Sequence, residues 1–139
     1  MTTKEYLSQA YRIDQRINSK LEQVASLRAL ATKATSTISD NLPSGSQNVQ
    51  AMEDNIVKII DLENEINKDI GTLVDLRREI VGVIKRISNP EYQTLLELRY
   101  LCFYSWEEVA VEMDYDLRYM HKLHRKALEQ CSVFIPNGK

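Results

Sequence analysis

Three groups of side chains in this 139-residue chain have the types and spacing that chemistry uses. Asp61, Glu63, Glu65 and Asp69 could pair as the acid and base of a proton-transfer site. His121 and His124, three apart on a helix, could share a metal, with Cys131 two turns further on. Arg118, Lys122, Arg125 and Lys126 form a run of bases with no acid between Leu117 and Lys126, a cationic face of the kind a polyanion binds. The first two groups have simpler explanations. The carboxylates alternate with apolar positions and mostly line the wet face of a helix. The histidines have no third ligand nearby and read as groove or surface residues. No glycine-rich phosphate loop and no nucleophile–base motif accompanies them. The chain therefore reads as no enzyme, with no catalytic residue, no cofactor and no metal. The basic run is what remains.

The elements around that run give it a setting. Ser105 with Glu108 three residues later is a capping box ahead of an apolar run, so a short helix is expected over Trp106–Met113. Its acids Glu107 and Glu108 lie in the first turn, where the helix dipole favours them. Asp116 is the next good N-cap, and it opens a helix from Leu117 to about Gln130. A turn of about three residues, Asp114 to Asp116, joins the two. This is the layout of a helix-turn-helix. Its packing positions are filled by Val109, Ala110, Met113, Tyr115, Met120 and Leu123. The usual turn glycine is replaced by Asp114, which tolerates the left-handed conformation better than most residues. The first helix packs and caps; the second presents its bases. Asn89 as N-cap and Pro90 at the first helical position begin a further helix that closes near Tyr104. Tyr100 and Trp106 read as core aromatics of this small domain.

Ahead of it the chain is long-period helix. Ala10, Ile13, Ile17, Val24, Leu27, Ala31, Ala34 and Ile38 recur at three- and four-residue spacing, giving a heptad-like seam over residues 3–38. Met52, Ile56, Ile59, Ile66, Ile70, Leu73, Ile80, Ile84 and Ile87 form a second seam over 52–87, with Glu63 and Arg77 as polar interruptions. Gly71 and Gly82 sit inside that helix, where it bends or another backbone comes close. The cluster Ser39–Gln50, with Pro43 and Gly45, reads as a loop over 39–51. The fold expected is all-α: a long antiparallel two-helix coiled-coil hairpin in residues 1–88, then a helix-turn-helix domain in 89–139. Two helices alone leave apolar surface wet, so residues 3–87 are expected to self-associate, with a dimer favoured. Apolar residues make up 43% and charged residues 27%, with net charge -2, ordinary figures for a soluble protein. Cys102 and Cys131 read as buried, reduced thiols of a cytoplasmic protein. The N-terminus has no apolar run of the signal-peptide kind. No stretch approaches the roughly 20 apolar residues that span a bilayer, so no membrane is expected as a partner.

Pro90 to Leu128 resembles the promoter −35-binding region of sigma-70-type factors. Leu96, Leu98, Arg99 and Tyr100 match the end of its first helix. Ser105, Glu108, Val109 and Ala110 match its "S-x-x-E-[IV]-A" segment, and His124, Ala127 and Leu128 its basic ending. The whole chain is similar to a family of small sigma-like proteins of phages and prophages of Gram-positive bacteria. The resemblance implies transcription control in a bacterial cytoplasm. It places Leu117, Arg118, Tyr119, His121 and Lys122 where a recognition helix meets the major groove. Arg118 and Lys122 are one turn apart and can both face base edges, while Arg125 and Lys126, further along, suit phosphates. Duplex DNA is the expected partner. The sigma core-binding and −10-melting segments have no counterpart here. Two other classes stay open. One is a small-terminase-like DNA-packaging subunit. The other is a coiled-coil protein whose basic helix meets an acidic partner such as RNA polymerase.

Overall fold

The computed structural model describes residues 1–40 and 45–136, with the side chains of 34–40 and 45–48 outside that description. The side chains of Ala34 and Ile38, and residues 41–44 of the expected loop, lie outside the described residues. Every regular element described is an α-helix: α1 (Thr3–Asp40), α2 (Gly45–Lys85), α3 (Pro90–Tyr100), α4 (Trp106–Met113) and α5 (Leu117–Ser132). Among the described residues, no helix is long and apolar enough to cross a membrane.

Helix α2 begins at Gly45, several residues before the start expected at Met52. The breakers Pro43 and Gly45 lie at or ahead of its first residue. Beyond them Val49 continues the spacing of Met52 and Ile56, so residues 45–51 are helix and not loop. Helix α3 stops at Tyr100, short of Tyr104. Leu101 caps it, and the left-handed backbone of Phe103 (φ 60°) turns the chain out of the helix.

The internal contacts divide the chain into two compact units. One is residues 15–71. Within it the two long helices run antiparallel, with Ile17, Val24, Ile59 and Ile66 buried between them. Lys20 is clamped by Asp69 at 2.7 Å and Glu65 at 3.2 Å. The bond to Asp69, above all, holds the Lys20 ammonium above its ordinary range. Asp69 is therefore a buried partner and not a solvated acid as expected. Glu63 instead pairs with Arg28 at 2.8 Å on the surface. Ile56 and Ile70, expected in the seam, stand at its rim and are 47% and 43% exposed. A helix with a single neighbour buries only a narrow stripe.

The other unit is residues 1–14 with 72–139. The chain does turn at Ser88–Asn89, where a domain boundary was expected, yet this unit also takes in the start of α1 and the end of α2. Its core joins Leu7 and Ala10 to Ile80, Ile84 and Ile87, and these to Leu95, Leu96, Val109, Met120 and Cys131. Arg77 donates to the Leu101 carbonyl at 2.8 Å, tying α2 to the end of α3. Asn89 accepts from the Glu91 and Tyr92 amides and so caps α3. Both cysteines are free. Cys131 is buried, which pushes its thiol up to about 11, but Cys102 is exposed. That exposure follows from its place after the last turn of α3, just ahead of Phe103.

Candidate nucleic-acid interface

The basic face is held by a chain of caps. Ser105 Oγ accepts from the Glu108 amide at 3.1 Å, and Glu108 Oε1 accepts from the Ser105 amide at 2.9 Å. Those bonds keep the Glu108 carboxyl below its ordinary range. Helix α4 ends on Asp114, whose backbone is left-handed (φ 58°, ψ 46°). The Tyr115 amide then closes back onto the Ala110 carbonyl at 3.0 Å, satisfying an orphan carbonyl of the last turn. Asp116 follows in extended conformation, and its carboxylate accepts from the Tyr119 amide at 2.8 Å. Three residues thus end one helix, reverse the chain and start the next.

Helix α5 is the most strongly two-sided of the five. Met120, Leu123, His124, Ala127 and Cys131 face inward, all buried. Arg118, Lys122, Arg125 and Lys126 are exposed. The spacings 118, 122 and 125 put three cations on one strip of helix, and Lys126 lies beside it. Leu117, Tyr119 and His121 are exposed too.

The packing positions separate by depth. Val109, Ala110, Met120 and Leu123 are buried, and Met113 is half-buried. Tyr115 is 38% exposed and packs only at the rim. Its hydroxyl donates to the Glu91 carboxylate, and its ring lies 4.8 Å from that of Tyr119. That bond to Glu91 is the main reason the Tyr115 phenol is pushed up. Ala110 is 8% exposed and belongs to α4, which packs against both α3 and α5. Ala110→Leu is expected to cost about 1–3 kcal/mol by overpacking. Thermal melting checks this, and an unchanged melting temperature would mean the helices do not press together there.

The two histidines do different jobs. His121 is exposed beside Trp106, ring centroids 5.0 Å apart. His124 is 8% exposed, not a groove or surface residue as expected. It shares a 2.6 Å hydrogen bond with the Tyr100 hydroxyl and lies 4.5 Å from the Trp106 ring. Arg99 stacks on Trp106 at 4.7 Å and donates to the Tyr104 carbonyl at 2.8 Å. This buried Tyr100–His124 pair, backed by Trp106, went unread in the sequence. The signal was there, because His124 falls in the 120, 123, 124, 127, 131 stripe of α5.

One family model matches residues 31–131, and its description is protein of unknown function (DUF1492). No curated protein and no solved structure matches the chain.

Proposed function

The chain belongs to the DUF1492 family of unknown function, and from its own residues we propose that it is a sequence-specific duplex-DNA-binding protein of phage or prophage transcription control. In this reading α4, the Asp114–Asp116 turn and α5 are a helix-turn-helix, and α5 is the recognition helix. The observation that carries it is the split of α5 into a buried apolar stripe and an exposed strip of Arg118, Lys122, Arg125 and Lys126. The sigma-like resemblance of Pro90–Leu128 supports the same placement. Both N-caps add to it, because a recognition helix reads bases best when its first turns are fixed. The paired helices of residues 15–71 carry several exposed apolar side chains. They support self-association of the long helices, here taken as a dimer that would set two recognition helices on one duplex.

The test is selection of bound sequences from a random duplex library, followed by titration across salt. The expected result is a recovered site, bound more tightly than scrambled DNA, with affinity falling steeply as salt rises. No binding by the wild type at low salt would overturn the reading.

Two variants separate the roles along α5. Arg118→Ala is expected to cost about 1–3 kcal/mol on the selected site and to relax preference at one base pair. Arg125→Ala is expected to weaken all sequences alike and to lower the slope of log affinity against log salt by about one. Equal, sequence-independent losses from both would reduce the helix to a general electrostatic patch.

A further inference from the structure

The outer stripe of α2 matches itself when read from either end. Starting at Glu53 and stepping by four and three, it runs Val57, Ile60, Asn64, Asn67, Gly71, Val74 and Arg78. Each of these is exposed, with Val57 57%, Ile60 51% and Val74 49% accessible. Counting outward from the peptide between Glu65 and Ile66, Asn64 corresponds to Asn67 and Ile60 to Gly71. Continuing the register along α2, Val57 corresponds to Val74 and Glu53 to Arg78. Beside the stripe, Glu63 corresponds to Lys68.

Each correspondence is chemically complementary. Two amides can each donate and accept. A bulky isoleucine faces a residue with no side chain. Valine faces valine, and acid faces base. A two-fold antiparallel pairing of α2 with itself would bring every one of these pairs together, since a two-fold interface sets residue i on j and j on i. Gly71 sharpens the point. A glycine within a helix is unfavourable, and a Cβ at Gly71 would meet nothing within 4 Å in this chain. Nothing inside the chain requires glycine there, whereas a knob from another helix would. Within residues 15–71, Leu21 and Val24 of α1 line a groove of about 480 Å³ with Ile60, Asn64 and Asn67, which widens the apolar footing beside the stripe.

We propose that α2 docks antiparallel on α2 of a second copy, about a two-fold axis at residues 65 and 66, with Ile60 of each copy seated on Gly71 of the other. This rests on the self-association proposed above and is independent of DNA binding.

The test is sedimentation of the full chain over a micromolar range, with far-ultraviolet circular dichroism alongside. The wild type is expected to reach a dimer. Gly71→Leu fills the socket, so the dimer should weaken on the order of tenfold or more while helicity holds or rises. Glu53→Arg and Arg78→Glu each set like charges together twice per dimer and should weaken it about two- to tenfold. Mixed in equal amounts, those two variants should recover a heterodimer, and the double variant should recover a homodimer. A monomeric wild type, a Gly71→Leu chain that associates as the wild type does, or charge variants that fail to rescue each other would each overturn the proposal. Loss of DNA binding with this series intact would sink the DNA reading and leave the pairing standing.

Discussion

Met120→Ala is expected to destabilise the chain by about 2–5 kcal/mol, the range for truncating a fully buried methionine. Met120 has no exposed surface and lies on the inner stripe of α5, against the core shared with Leu95, Leu96 and Val109. Truncation leaves a hole beneath the helix that carries Arg118 and Lys122. Set against a typical domain stability of about 5–15 kcal/mol, the loss is large. Val111 supplies the control. It is 81% exposed, and Val111→Ala should stay within about 0.5 kcal/mol. Urea melts of both variants make the comparison, and equal midpoints would show that α5 is not anchored through Met120. On the proposed function, Met120→Ala should lose DNA affinity only as the unit unfolds and regain it on cooling, because no contact to DNA is removed.

Acidification should expose the second large effect, through His124. Its imidazole is pushed down to about 4, first by burial and then by the nearby charges of Lys4, Arg99 and His121. The folded chain thus holds the neutral ring, whereas the unfolded chain titrates near the ordinary value of about 6.5. The stabilisation of the neutral ring is complete above that value. It is lost as pH falls from about 6.5 to about 4, and nothing more is lost below. A shift of this size corresponds to about 3 kcal/mol. Tyr100, whose phenol burial raises to about 12, stays protonated throughout and can donate to Nε2 while the ring is neutral with its proton on Nδ1. Carboxylates protonate over an overlapping range, so the readout is a difference. His124→Gln keeps a polar partner for Tyr100 but does not titrate. Its stability should fall less than that of the wild type between pH 6.5 and pH 4. Parallel pH profiles for the two proteins would rule the histidine out as the acid-sensitive group.

Much of the local structure was legible because local chemistry determines it. Ser105 with Glu108, Asn89 with Pro90, and Asp116 each fix a helix start through bonds spanning two or three residues. What escaped is what depends on distant partners. Asp69 looked like one more wet acid until Lys20, 49 residues earlier in the chain, was placed against it. His124 looked like half of a surface pair, and only Tyr100 and Trp106 show why a polar ring can sit in the core. Tyr115 was assigned to the turn's interior, yet its hydroxyl found Glu91 at the surface, and a phenol that can satisfy its polar end there gains little by burying it. The early start of α2 was hidden by a Ser–Gln–Asn composition that resembles a loop, though nothing after Gly45 breaks a helix. The basic strip was read from its run of charges and from the helix start at Asp116. Its exposure required the opposite stripe of α5 to be recognised in full, His124 included.

Tyr6, Leu7 and Ala10, at the start of α1, close the same core as Met120 and Cys131. During synthesis, then, the turns of Tyr6 to Ala10 must wait for those of Met120 and Cys131, more than a hundred residues later. Chains emerge at about 5–20 residues per second, so that core stays open for several seconds while residues 15–71 can already pair. Closing so long a span carries a loop entropy that a contiguous domain avoids. The unit that carries α5 should therefore complete only once Cys131 is free to pack, and a fragment beginning at residue 89 should be a client for chaperones, with the apolar faces of Leu95 and Leu96 uncovered.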